Sequence, residues 1–209
     1  MMKEKSVMKQ RCAELGMGTG FFFWLAAVLS AANLVFWIWA CLQPESSFSL
    51  SLSDTPSGFF GVAELAGIPE GFLSAAAPDR LEIATGILNE AAAQMPKYVF
   101  LADFACHIGM CAALTACLWY IRKIFKNIGK FETPFVKENS RAIFCLGIVV
   151  ILVFAMKDAF AALAFARGIG GAAHDIINLG WFAPAIPLFC LSYIFEYGCA
   201  LQQESDETL

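Results

Sequence analysis

The sequence predicts an all-α integral membrane protein, a bundle of four transmembrane helices with both termini cytoplasmic and a short helix in a long outer loop. Three observations carry that expectation. Of the 209 residues, 59% are hydrophobic and only 15% are charged, against roughly 25% charged in ordinary soluble domains. The polar residues are gathered into segments between apolar runs rather than spread along them. Lys and Arg, finally, collect in some connections and avoid others.

A spanning helix needs roughly 20 mostly apolar residues, because about 30 Å of hydrocarbon is crossed at about 1.5 Å per residue. Four segments meet this: about 19–41, 98–121, 142–166 and 176–198. The first follows a basic start (Lys3, Lys5, Lys9, Arg11). Its apolar run exceeds the roughly 7–15 residues of a secretory leader and no small-x-small cleavage site follows, so it is read as a retained helix. Pro184 and Pro187 are expected to kink the fourth span.

Between the first two spans lies an outer loop, 42–97, punctuated by Pro, Gly and Ser. Its "PDRLEIATGILNEAAAQM" carries Asp79 as a cap and Leu81, Ala84, Leu88 and Ala91 at helical spacing, which predicts a short amphipathic helix. The inner loop, 122–141, holds Arg122, Lys123, Lys126, Lys130, Lys137 and Arg141, whereas the outer loop has only Arg80 and Lys97. Basic residues near span ends stay on the cytoplasmic side, which places both termini inside. Thr133 followed by Pro134 suits a helix start leading into the third span. The acidic tail, 199–209, lies on the same side, either folded back on the basic loop or free for a partner.

Against this apolar background stands "VILVFAMKDAFAALAF", with Lys157 and Asp158 adjacent in mid-span. Consecutive helical residues point about 100° apart, so the two cannot satisfy each other. Asp103 and His107 are four apart and share a face. With Asn33 and Asn178 these residues fall in one leaflet and form an intramembrane polar cluster. An unpaired charge there costs about 2.5–3.5 kcal/mol. The expected partners are Asp103 with Lys157, and Asp158 with His107, Asn33 or Asn178. The cluster is either an interhelical clamp or a pocket for an ion, proton or small ligand. A permeation path would require a homo-oligomer, because four helices leave little room.

Seven of the eight cysteines lie in or at the ends of the spans, where they act as small apolar fillers. "CHIGMC" lacks the converging ligand set of a metal site, and no CxxC occurs. No haem is expected either, since the second histidine, His174, lies at a different depth. No metal, cofactor, nucleophile constellation or direct nucleic-acid contact is therefore expected, and the chain is not read as an enzyme.

Two stretches carry a resemblance. "IGKFETPFVKEN" and "IFEYGCALQQESDETL" resemble the loop before the third span and the closing segment of domain-of-unknown-function family 2975. The matching residues are Gly129, Pro134, Phe135, Glu138 and Asn139 in the loop. In the tail they are Gly198, Leu201, Gln202, Glu204, Asp206 and Thr208. The likeness covers roughly the last 120 residues in detail and the whole chain in layout, with extra residues between Gly129 and Pro134 and a longer outer loop. It implies a small, multi-pass, four-span protein of the bacterial cytoplasmic membrane with no established activity, often encoded beside a small helix-turn-helix regulator. The resemblance falls on the inner loop and tail, so the expected mode of action is non-enzymatic, through cytoplasmic contacts with such a regulator. A small transporter or ligand-sensing bundle is the alternative.

Overall fold

A computed structural model describes residues 2–55, 58–68, 80–131, 133–170 and 179–207; side chains 2–9, 12, 55, 58, 84–86, 157, 179 and 206 lie outside the description. Among the described residues the α-helices are α1 (Met2–Leu42), α2 (Pro96–Phe131), α3 (Lys137–Ala166) and α4 (Ile186–Glu207). The strands β1 (Phe48–Thr55), β2 (Gly58–Leu65) and β3 (Arg80–Leu88) form one antiparallel sheet in the order β1-β2-β3. Contacts divide the chain into two compact units. One comprises Met1–Ala27, Ala112–Val153 and Leu179–Leu209, the other Val28–Cys111 and Phe154–Asn178.

Three stretches, Ala13–Leu42, Pro96–Phe131 and Lys137–Met156, are long and apolar enough to cross a membrane. On α1 the apolar side chains face outward: Phe21, Phe22, Trp24 and Val28 are all more than half exposed. An apolar surface of that kind needs a non-aqueous neighbour. These helices are compatible with a multi-pass membrane protein.

The fourth segment differs from its expectation. Residues 171–178 lie outside the described residues, Leu179–Trp181 form a 3-10 turn, and α4 begins only at Ile186. Pro184 lies in the turn before α4 and Pro187 in its first turn. There the missing N–H of a proline costs nothing, because the first amides of a helix have no partner within it. The prolines mark where the helix starts and do not kink it. Thr133 and Pro134 likewise stop short of helix, which begins at Lys137. The Thr133 hydroxyl instead accepts the Phe135 N–H at 3.2 Å, a local turn that competes with a helical cap.

The sheet corrects both the all-α class and the helix expected in the outer loop. Residues 81, 84, 88 and 91 suit a helical period, but Arg80–Leu88 is β3 and only Glu90–Gln94 forms a 3-10 turn. Leu81 and Ile83 are buried while Arg80 and Glu82 are exposed, the two-residue alternation of a strand. The clearer signal is "FSLSLSDT" of β1, where Phe48, Leu50 and Leu52 alternate with serines. In register, Phe48, Leu50 and Leu52 oppose Leu65, Ala63 and Gly61, while Leu81 and Ile83 oppose Ala63 and Gly61. Gly61 leaves room for this face to close: a Cβ there would lie 2.7 Å from Leu88 Cδ1.

That apolar face packs with Phe36 and Ala40 of α1, Val99, Phe100 and Phe104 of α2, and Phe160 and Ala164 of α3. The Phe48 and Phe100 rings meet edge-on at 5.5 Å. Asn89, just after β3, ties the sheet to the end of α3. Its amide donates to the carbonyls of Gly168 and Gly170, both at 3.1 Å, and its backbone N–H donates to Ile169. Gly168, at φ +75°, takes the left-handed conformation that ends α3.

Ile83 is 1% exposed and Glu82 lies on the open face. We expect Ile83→Ala to cost about 2–5 kcal/mol of stability and Glu82→Ala less than about 0.5 kcal/mol, read from thermal unfolding of the purified protein. Equal effects would contradict the strand register.

Candidate functional site

Two places hold the residues singled out by sequence. The first lies in the unit Val28–Cys111 with Phe154–Asn178. Asp103 and His107 sit one turn apart on α2, with His107 Nδ1 3.5 Å from Asp103 Oδ2 and 3.1 Å from the Asp103 carbonyl. A proton on Nδ1 suits this geometry: it points at the carbonyl and stays near the carboxylate. Asp103 is 7% exposed, and among the described residues its buried Oδ2 has no hydrogen-bond partner. A buried polar atom left unpaired costs about 1–3 kcal/mol, more when charged.

Beside the carboxylate is a cavity of about 60 Å3 lined by Asp103, Cys106, His107, Met110 and Met156. Met156 reaches it from α3 because Gly109 has no side chain; a Cβ there would lie 2.9 Å from the Met156 sulfur. Among the described residues no group of three His, Cys, Asp or Glu is placed to hold a metal ion. Asn33 is half-buried on α1. Asp158 is half-buried on α3. The Lys157 side chain, Asn178 and His174 lie outside the described residues, and with them the expected Asp103–Lys157 pair.

The second place lies in the other unit, where the loop before α3 meets α4. Asn139 is fully buried. Its Nδ2 donates to the Pro134 carbonyl at 3.0 Å, and its Oδ1 accepts from Asn127 Nδ2 of α2 at 2.9 Å. The Phe135 ring packs on the Phe195 ring at 5.4 Å and directly over Gly198, where any Cβ would collide with it. Thr133 Oγ1 donates to Gln202 Oε1 at 3.1 Å. Pro134, Phe135 and Asn139 of the loop thus meet Gly198 and Gln202 of α4 in one junction. Glu138, Leu201 and Glu204 are exposed on the same elements, and Gly129 lies near the end of α2. The Asp206 side chain and Thr208 lie outside the described residues.

Two serines that sequence reading passed over lock α3 to α4 nearby. Ser140 Oγ donates to the Ser192 carbonyl at 3.1 Å and Ser192 Oγ to the Ser140 carbonyl at 2.9 Å, both side chains buried. Gly147 admits the Phe189 ring, which would lie 2.6 Å from an added Cβ. Small and hydroxylated residues are the usual means of close helix contact where lipid removes the hydrophobic drive between helices. Their signal, one serine in the polar start of α3 and one in the apolar run of α4, does not say which two will meet.

Fold and sites together define a helical protein with apolar helices of membrane-spanning length, a small antiparallel sheet, and two internal polar sites. Compared with protein-family models, curated proteins and solved structures, the chain finds no match in any of the three.

Because the Phe135 ring occupies the place of a Gly198 side chain, we expect Gly198→Ala to cost about 1–3 kcal/mol by overpacking. Adding Phe135→Ala should recover part of that loss. Thermal unfolding of both single variants and the double variant measures the coupling, and strictly additive effects would place the ring elsewhere.

Proposed function

We propose that the chain is a non-enzymatic, multi-pass protein of the bacterial cytoplasmic membrane that acts through its loop–tail junction, holding a helix-turn-helix regulator at the membrane. The observation that carries this reading is the junction itself. The residues resembling family 2975 in the loop (Pro134, Phe135, Asn139) and in the tail (Gly198, Gln202) converge, although Thr133 and Gln202 are 69 positions apart. A buried Asn139, bonded through both its amide nitrogen and its oxygen, makes that convergence rigid, and a rigid platform loses less entropy when it binds. On the same elements Phe135 is 39% and Leu201 48% exposed, apolar side chains of the kind that partner surfaces use.

Orientation is part of the proposal. The residues of the N-terminal segment, the basic stretch after residue 111 and the tail belong to one compact unit, which supports placing all three on the cytoplasmic side. A fourth crossing, with Ile186–Gly198 as the apolar part of α4, belongs to the proposal.

The alternative, a ligand-sensing or transporting bundle, has its own observation: an Asp103 oxygen without a hydrogen bond among the described residues, beside a small cavity. A protein that merely clamped helices would gain by satisfying that oxygen.

Deleting the tail from Gln202 onward should abolish co-purification of the regulator with the full-length tagged protein while leaving the chain in the membrane fraction. An unchanged set of partners would sink the tethering reading. For the alternative, Asp103→Asn with Lys157→Met and Asp158→Asn should remove sensing or uptake, and an intact phenotype would dispose of it.

A further inference from the structure

We propose that the groove between α1 and α2 binds an anionic phospholipid, with its phosphate at Arg122 and Lys126, its glycerol against the small-residue face of α1 and its acyl chains running past Gly20 onto the exposed apolar face of α1. This rests on the reading of the chain as a membrane protein, and adds to it a defined lipid site.

Within the unit Met1–Ala27, Ala112–Val153 and Leu179–Leu209, a cavity of about 510 Å3 is lined by Ala13, Gly16, Met17 and Gly20 of α1. Arg122, Phe125, Lys126 and Gly129 of α2 form its other wall. It exists because α1 presents glycines there. A Cβ at Gly16 would lie 3.8 Å from Phe125 Cβ, and one at Gly20 would lie 3.4 Å from Arg122 Nε. Ala13 to Gly20 covers about 10 Å of helix, room for a headgroup and glycerol, and the exposed Phe21, Phe22 and Trp24 that follow offer apolar surface to acyl chains. A second cavity, about 460 Å3, lies on the same turns of α2 and shares Arg122 and Lys126 with the first, adding Lys123 and Lys130.

Aromatic rings, not carboxylates, are what three of these cations meet among the described residues. Arg122 rests over the Phe23 ring at 5.6 Å, Lys123 over Trp119 at 5.2 Å and Lys130 over Phe131 at 4.8 Å. Among the described residues none of the four basic side chains pairs with a carboxylate. Glu14, beside the groove on α1, accepts instead from Gln10 of its own helix at 3.0 Å. Arg122, Lys126 and Lys130 recur at intervals of four, so like charges stack along one helix face, an arrangement that calls for an anion. The anion must also be an amphiphile. The groove's α1 wall is Ala, Gly and Met, apolar surface that free phosphate leaves unused, and it continues into the exposed apolar face of α1. A basic pocket between helices where an apolar span gives way to charge is where anionic headgroups bind.

The full chain, purified from membranes in mild detergent, would be examined by native mass spectrometry with cardiolipin, phosphatidylglycerol or phosphatidylcholine added. We expect adducts of the anionic lipids to exceed those of phosphatidylcholine by about tenfold. Arg122→Gln with Lys126→Gln, and separately Gly16→Leu, should each cut that preference about fivefold, the first by removing charge and the second by filling the groove. Gly18→Leu is the control, since a Cβ there meets nothing within 4 Å; it should keep the preference. Equal retention of all three lipids, or an unaltered preference in both groove variants, overturns the proposal. Displacement of the lipid by millimolar inorganic phosphate also overturns it, because the site would then be one for a free anion. Failure of the chain to sediment with membranes after carbonate washing would refute the membrane reading itself, a result distinct from either.

Discussion

The packing of this protein depends on side-chain donors reaching main-chain carbonyls of other elements. Trp37 Nε1 donates to the Leu101 carbonyl at 2.9 Å and Lys97 Nζ to the Gln43 carbonyl at 2.6 Å. Asn89 serves Gly168 and Gly170, Asn139 serves Pro134, and Ser140 and Ser192 serve each other's carbonyls. Each link joins segments distant in sequence or closes a turn. Carbonyls are available for this because helix ends leave them unpaired and because each oxygen has a second lone pair. Out of water such a bond strengthens and a missing one costs more. A few short polar side chains therefore fix contacts that apolar surface alone would leave free to slide.

Set beside these, Asp103 is the exception. As a carboxylate it only accepts, so it cannot serve a carbonyl, and His107 Nδ1 lies nearer the Asp103 backbone carbonyl, at 3.1 Å, than the carboxylate oxygen, at 3.5 Å. Every other buried polar side chain named above adds a bond between elements, whereas this one carries an oxygen unbonded among the described residues at a cavity wall. The sulfurs of Cys106, Met110 and Met156 around it are weak hydrogen-bonding groups and give little compensation.

Sequence showed what is periodic and local. The helices of α1, α2 and α3 follow from their apolar runs, and the Asp103–His107 proximity follows from a spacing of four. The outer loop was misread because nine residues of β3 fit two periods at once: Leu81, Ala84 and Leu88 suit a helix, Leu81 and Ile83 a strand. What decides between them is β2 alongside, a partner no window around β3 contains. The serine alternation in β1 was the sounder guide, but its small polar residues also look like turn punctuation. The loop–tail junction was out of reach for another reason. The motifs lie on either side of a whole helix, and the fit between them turns on an absent side chain at Gly198.

The same distinction between composition and placement governs the basic stretch after residue 121. Counted as a loop, its charges imply an orientation and a diffuse attraction to headgroups. In the structure Arg122, Lys123, Lys126 and Lys130 all belong to α2, which continues to Phe131. Regular helix turns a count of charges into a face, with neighbours held about 6 Å apart and each like pair costing about 0.2–0.5 kcal/mol in the absence of counter-charge. The chain spends aromatic rings on three of these cations and a carboxylate on none among the described residues. Rings attract a cation without cancelling its charge, so the face keeps its positive potential. A protein that needed these residues only to set its orientation could leave them on flexible chain, where their mutual repulsion would relax. Holding them on α2, with the glycine face of α1 opposite Arg122 and Lys126, gives the charge a shape that an amphiphilic anion can match.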